Sequence, residues 1–330
     1  MNIKQLFLGL TGVLLLAACS SADEEQPQAV TGEPQSGIPI MLTSVVDGPT
    51  TRAGSSIQGN ALLSGELVNV YITAPNGGAT YDPKVYKINT GGEMSPVGNI
   101  FPYFPTNGNS IKVTALYPQT VTSDTRTFTV ESNQDKQVQY KLSDLMFGTI
   151  LDDDGVSSKE VAPTDVKQTI TFRHKLSKIT VILKSGTGSP DTKNSEVQLC
   201  NVYKTIGFTP ASGALGALSG DPDYVTMTTD GRSSSGVSAI IPPQSIGTGY
   251  FLKIRLAGKS DTDSGDIIYY SPSQSFDVES GKEYKFTMTI NQNGLTVDYT
   301  VSDWLNTQDD LGNANNVYTG QTEFPAASGE

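Results

Sequence analysis

Histidine and cysteine are nearly missing from this chain of 330 residues, which has one histidine, His174, and two cysteines, Cys19 and Cys200. A Ser-His-Asp triad or a Cys-His pair would therefore have to use His174. A zinc site needs several such ligands, and this chain cannot supply a common set of them. His174 lies in an alternating strand pattern, so we predict that it packs and hydrogen-bonds at a sheet.

Clusters of lysine and arginine are also absent. The chain has 22 basic and 34 acidic residues, which gives a formal charge of −12. An acidic surface repels phosphate backbones, so the composition argues against nucleic acid as a partner. No pair of carboxylates stands out as suited to glycoside hydrolysis, and no P-loop is present. We therefore predict no enzymatic activity and no cofactor.

Residues 1–18 have the features of a secretory signal. Lys4 precedes an apolar run at residues 6–16, which is too short to cross a bilayer comfortably. The segment Leu16-Ala17-Ala18-Cys19 then resembles the bacterial lipobox. This resemblance implies cleavage before Cys19 and acylation of Cys19, with the lipid anchoring the protein to a membrane. An acylated Cys19 would leave Cys200 without a disulfide partner, and we predict that Cys200 is a small buried hydrophobe.

Residues 19–37 are polar, with clustered acidic residues, and predict a flexible tether. The acidic run at Ser20–Glu25 resembles the surface-export signal of Bacteroidetes lipoproteins. This implies a location on the exposed side of the cell outer membrane. A plain periplasmic tether remains the alternative.

Short alternating runs of β-branched and aromatic residues recur through the rest of the chain, separated by Gly, Asn, Asp and Pro. Such runs predict β-strands, and many short strands are typical of antiparallel sandwiches. Asn293-Gly294 predicts a tight hairpin near the end of the series. The clearest runs are 67–73, 111–117, 126–130, 178–183, 250–256 and 284–290.

The length of the chain predicts two β-sandwich domains, because about 290 residues are more than one small core organises. We place them at 38–164 and 165–304, divided in a polar loop, with a polar C-terminal tail at 305–330. In an acidic loop, Asp261, Asp263 and Asp266 are weak candidates for calcium ligands, although a hydrophilic turn is the favoured interpretation. The aromatic loop at Ile100–Pro105 could stack on a sugar, dock a partner or simply pack beneath a loop.

Four motifs give the chain a resemblance to Bacteroidetes fimbrillin-like proteins. They are Phe172–Val181, which reads FRHKLSKITV, together with Thr51–Gly54, Gly281–Phe286 and Val301–Trp304. Members of this family are type V pilus subunits with two tandem transthyretin-like antiparallel β-sandwich domains. The resemblance implies an all-β fold of that kind and assembly with other pilus subunits.

The resemblance also implies a maturation site. In the family, a trypsin-like protease cuts after an arginine and removes the lipid with the first strand, and a donor strand from another subunit then fills the groove. Here Arg52 would be the cut point and Ala53 the new N-terminus. The displaced strand would carry Ile38, Ile40, Leu42 and Val45.

The resulting prediction is a structural subunit, either tip or accessory or stalk, that contributes to adhesion through a host protein or glycan receptor. The weak alternation of the tail favours a tip or accessory position slightly. The main alternative is a monomeric surface lipoprotein that binds host or dietary glycan and never polymerises.

Overall fold

The computed structural model describes six stretches of the chain and the backbone of one short strand. The predicted signal, almost all of the tether, Arg52 and Ala53 lie outside them. The described residues are 37–47, 62–75, 81–228, 236–257, 265–292 and 294–304, with the backbone alone at 321–323.

The first half of the described chain consists of short strands, with one 3₁₀ turn at Thr90–Gly92 and one short helix, α1, at Gln137–Leu142. The prediction of an all-β protein is confirmed. The strands are β1 Leu42–Val46, β2 Leu67–Thr73, β3 Lys84–Ile88, β4 Glu93–Pro96, β5 Ile111–Tyr117, β6 Thr127–Thr129, β7 Met146–Thr149, β8 Glu160–Val161 and β9 Gln168–His174.

The second half is also built from strands. Each of the six runs singled out in the sequence, in either half, overlaps a strand. The strands are β10 Ser177–Ser185, β11 Glu196–Val202, β12 Thr205–Thr209, β13 Ala214–Ser219, β14 Asp223–Thr226, β15 Val237–Ile241, β16 Gln244–Ile246, β17 Leu252–Arg255, β18 Ile267–Ser271, β19 Phe276–Val278, β20 Lys282–Asn291, β21 Gly294–Asp303 and β22 Gln321–Glu323. The last of these lies within the predicted polar tail.

Eight of the nine N-terminal strands, all except β6, form one sheet whose order is β2-β3-β4-β1-β9-β7-β5-β8. In addition, β2 pairs with β5, so seven of the strands form a closed ring and only β8 lies outside it. Closure of this kind leaves the ring without free strand edges. The apolar side chains on its inner face form a buried cluster that draws on residues from Ile40 to Phe172.

The C-terminal strands form two larger sheets with a second buried cluster, drawn from residues Ile179 to Val297. One sheet has the order β15-β10-β20-β21, and the other has the order β14-β11-β17-β18-β22. Period-two alternation fixes the inward side of each strand; in β20, for example, Tyr284, Phe286 and Met288 are buried and their neighbours are not. The predicted hairpin is present, since β20 and β21 pair along their whole length.

Strand β9 begins after the predicted domain boundary at 164/165, but it pairs with strands that precede that boundary. It lies parallel to β1 and antiparallel to β7. Its register with β7 places His174 opposite Met146. The N-terminal sheet therefore continues to His174, and the two-domain division itself stays a prediction.

Candidate functional site

The first strand, β1, is bonded on both of its edges. It pairs antiparallel with β4, with Leu42 opposite Met94, and parallel with β9 over its full length, from Leu42 opposite Gln168 to Val46 opposite Phe172. Because β4 and β9 do not pair with each other, β1 is the strand that completes the ring at this point. The segment that the sequence indicated as removable is thus an internal strand of the sheet.

The residues before β1 extend the same pairing along the aromatic loop. Ile40 N–H donates to the carbonyl of Pro102 at 2.8 Å, and Phe104 N–H donates to the carbonyl of Ile38 at 2.9 Å. Phe104 is itself buried in the N-terminal cluster. Of the interpretations that the sequence allowed for the aromatic loop, the structure shows packing, and what it packs against is the first strand.

One face of the first strand is completely enclosed. Ile40, Leu42, Ser44 and Val46 are each at most 4% exposed, whereas Ile38 is 39% and Val45 is 41% exposed. Of the four residues predicted to define the displaced strand, only Ile40 and Leu42 therefore point into the core. Val46, the last residue of the strand predicted to be removed (residues 38–46), also points into the core.

Gly92, in the 3₁₀ turn before β4, lets the backbone approach β1 closely. Its φ is +81°, and a Cβ atom at this position would lie 2.4 Å from the carbonyl oxygen of Ser44. The Gly92 carbonyl accepts hydrogen bonds from the hydroxyls of Thr43 and Ser44, both at 3.0 Å. These bonds satisfy the one polar side chain that β1 buries, so glycine is required here both for its φ and for the lack of a side chain.

The C-terminal end of β1 is tied to β9 by a backbone hydrogen bond and an ion pair. Asp47 N–H donates to the carbonyl of Phe172 at 2.7 Å. Arg173 Nε donates to Asp47 Oδ2 at 2.6 Å, and Nη2 of the same guanidinium group donates to the carbonyl of Gly155 at 2.5 Å. The ion pair is about half exposed, so it fixes the position of the strand end more than it stabilises the fold. Arg52 follows only five residues later, outside the described residues.

Three of the four resemblance motifs meet at one point in the structure. The ring of His174 stacks on that of Trp304, with centroids 4.0 Å apart and planes within 8°. Gly281 N–H donates to the carbonyl of Leu176 at 2.9 Å, and Trp304 N–H donates to the carbonyl of Gly281 at 2.8 Å. Ring stacking and backbone hydrogen bonds thus connect residues that are more than 100 positions apart in the sequence.

The family follows from comparison with known proteins. A family model described as fimbrillin-like matches residues 51–304. This chain belongs to the fimbrillin-like family. It is 28% identical over 328 residues to a Bacteroides uniformis protein named "Putative fimbrium subunit Fim1C", a match that covers 95% of this chain and 100% of the relative. These findings support the role of a pilus subunit.

Solved structures agree with the fold of this fimbrillin-like chain. A structure titled as a putative cell adhesion protein from Bacteroides uniformis has a TM-score of 0.62 at 19% identity, covering 81% of this chain and 98% of its own. A second, titled in the same way and from Bacteroides ovatus, has a TM-score of 0.59 at 19% identity, covering 82% and 99%. At this level of identity the likeness shows the fold alone.

The only histidine of the fimbrillin-like chain is buried in a structural contact. His174 Nδ1 lies 2.7 Å from Asp144 Oδ1, and both side chains are almost fully enclosed. The expectation that His174 packs and hydrogen-bonds at the sheet is confirmed. Its carboxylate partner, Asp144, was not anticipated, because it comes from the turn after α1 and carries no pattern that points to His174.

The remaining residues singled out from the sequence are Cys200 and the three aspartates proposed as weak calcium ligands. Cys200 is buried, and burial raises the pKa of its thiol to about 11, so it is an unreactive apolar residue as predicted. Asp261 and Asp263 lie outside the described residues, and Asp266 is an exposed residue whose carbonyl accepts a bond from Leu256 N–H at 2.9 Å. Among the described residues, no group of three or more His, Cys, Asp or Glu side chains could hold a metal ion. No helix in the described part of the chain is long and apolar enough to cross a membrane.

Proposed function

We propose that this chain is a type V pilus subunit that assembles by donor-strand addition after proteolysis at Arg52 removes its first strand. In this proposal Cys19 carries the lipid that holds the precursor at the outer membrane, exposed to the outside. Ala53 is the N-terminus of the mature subunit. The subunit occupies a tip, accessory or stalk position and contributes to adhesion.

The observation that carries the proposal is the position of β1 in the ring. Removing β1 would leave backbone groups of β4 and β9 unpaired along the strand. It would also uncover the slot that Ile40, Leu42 and Val46 fill. Burial of one such side chain stabilises a protein by roughly 1.5–3 kcal/mol, so three of them represent roughly 5–9 kcal/mol. A strand from another subunit with apolar residues at alternate positions would restore both the hydrogen bonds and the burial.

The proposed architecture is two tandem transthyretin-like sandwiches. Two separate apolar clusters support it, one within the N-terminal ring and one between the two larger C-terminal sheets. A third cluster contains residues from both halves, among them Leu116, Leu176 and Trp304. We assign the third cluster to the contact between the two sandwiches.

Mass spectrometry of the N-terminus, on protein sheared from the native cell surface, tests the proposal. We expect material that begins at Ala53 and that occurs in high-mass assemblies. An Arg52→Ala variant should instead keep the N-terminal segment and stay with the membrane. Arg126→Ala is the matched control, because Arg126 is also a basic residue in a loop and should leave maturation unchanged.

One result of the same measurement would contradict the proposal. Wild-type protein that begins only at acylated Cys19 and never enters assemblies would contradict removal of the strand. It would favour an anchor subunit or a monomeric surface protein.

A further inference from the structure

We infer that the slot filled by β1 is selective for a donor strand with a small hydroxyl residue at the third of its four inward positions, and that a different subunit supplies this strand. The inference rests on the proposed removal of β1 and describes the strand that replaces it. The four inward residues of β1 and its approach show the pattern, since each is at most 4% exposed; they are Ile40, Leu42, Ser44 and Val46. Three of them are large and apolar, whereas the third is a serine.

Two neighbours limit the size of the third side chain. On one side the carbonyl oxygen of Gly92 lies 3.0 Å from Ser44 Oγ. On the other side Ile170, which is fully buried, stands next to Ser44 in the parallel register of β1 and β9. Ile170 is itself tightly packed, because a Cβ atom at Gly148 in the following strand would lie 2.7 Å from its Cγ2. A side chain much larger than serine would therefore overpack this position.

The Gly92 carbonyl also requires a hydrogen-bond donor from the strand that fills the slot. Gly92 is a buried residue, and its carbonyl accepts from the hydroxyls of Thr43 and Ser44. An apolar residue in place of Ser44 would remove one of these two donors from a buried acceptor. Alanine would fit the space without supplying the bond, so the third position favours serine over alanine and both over leucine.

The same position fixes the register of an incoming strand. A strand that enters two residues out of place still directs its apolar side chains inward, so alternation alone does not exclude it. Such a slip would bring a large side chain between Gly92 and Ile170, where Ser44 now lies. The slot therefore accepts a matching strand in one register only.

The tail of this chain matches the slot poorly. Residues 305–330 contain one stretch that has a hydroxyl residue at the third position and aromatic residues at the first and fourth, but its second position is a glycine. The stretch is Tyr318, Gly320, Thr322 and Phe324. Glycine would leave empty the space that Leu42 fills, which is costly in an enclosed core. A second copy of this chain is therefore a poor donor, and a different subunit is the partner.

Binding of synthetic strands to the purified full-length chain tests this inference. Trypsin cuts the folded chain after Arg52, and mass spectrometry confirms the cut. A labelled peptide with the sequence of residues 38–47, added in excess, then replaces the severed strand, as fluorescence anisotropy shows. The matched competitor has Leu42 and Ser44 exchanged, so its composition is identical. We expect it to bind at least about thirtyfold more weakly than the reference, and a peptide of residues 316–325 at least about tenfold more weakly.

Variants of the uncut chain test the same contact without a protease. Ser44→Leu should lower the urea midpoint of unfolding clearly and Ser44→Ala less, whereas Val45→Leu on the exposed side of the strand should leave it unchanged. Gly92→Ala should lower the midpoint more than Gly91→Ala. Both glycines have a positive φ, +81° and +78°, but a Cβ atom at Gly91 meets nothing within 4 Å, so the difference reports the approach to β1.

Three results would overturn the selectivity of the slot. They are equal binding of the exchanged and reference peptides, failure of the reference peptide to enter the cut chain, and a Ser44→Leu chain as stable as the wild type. Tight binding of the peptide of residues 316–325 would overturn the assignment to a different subunit and favour assembly from copies of this chain. Because trypsin is supplied in the assay, strand removal at the cell surface and selectivity of the slot can each fail without the other.

Discussion

Replacement of Leu42 by alanine measures how much β1 contributes to the ring. Leu42 is 1% exposed and is held between β4 and β9, so the neighbouring strands cannot easily collapse into the space that a smaller side chain leaves. Leucine-to-alanine changes in enclosed cores lower the free energy of unfolding by about 3–5 kcal/mol. For a domain whose whole stability is about 5–15 kcal/mol, this is a large fraction.

Val45→Ala is the matched control, because Val45 lies in the same strand and is 41% exposed. Loss of two methyl groups there should lower the free energy of unfolding by less than about 1 kcal/mol, mainly through the preference of valine for strands. The two variants therefore separate the effect of the buried face from that of the strand itself.

Urea unfolding provides the measurement, followed by far-ultraviolet circular dichroism and by the fluorescence of Trp304, the single tryptophan. If the N-terminal cluster unfolds separately, only the transition that includes it should move. A Leu42→Ala variant that is as stable as Val45→Ala would refute the argument, because the first strand would then not fill a closed slot.

Two further predictions follow from buried ionisable groups. Burial raises the pKa of Cys200 to about 11, so iodoacetamide at pH 8 should leave it unmodified in the folded chain and modify it in urea, as mass spectrometry would show; fast labelling of folded protein would contradict this. Burial alone would raise the pKa of Glu283, but Lys178 and Thr180 more than offset this and hold the pKa below its ordinary value of 4.5. The ionised group therefore stabilises the fold above that pH, and this stabilisation is lost as the pH falls through the lowered pKa. The stability deficit of Glu283→Gln should accordingly be larger at pH 7 than at pH 3 in urea unfolding, and equal deficits would contradict the assignment.

The parts of the fold that were predictable from sequence depend on neighbouring residues. The hairpin of β20 and β21 is an example, because alternation predicts each strand, the Asn293-Gly294 sequence predicts a turn between them, and the two strands pair. The buried side of β20 follows from alternation in the same way. Each of these inferences needed only a few consecutive residues.

The parts that were missed depend on residues far apart in the chain. The parallel pairing of β1 with β9 joins segments that no local pattern relates, so the sequence did not indicate that β9, which ends at His174, pairs with the first strand. The stacking of the His174 ring on the Trp304 ring has the same origin, because it joins two segments that no local pattern relates.

The parallel pairing of β1 with β9 also has a consequence for the order in which the chain folds. Asp47 meets Arg173 across 126 positions of sequence, which makes the closing contacts of the ring among the least local in the N-terminal half. Contacts of high sequence separation carry a large loop-closure entropy and form late. We therefore expect the first strand to be synthesised before all its partners and to dock after them, so that the segment that completes the ring is also the last to join it.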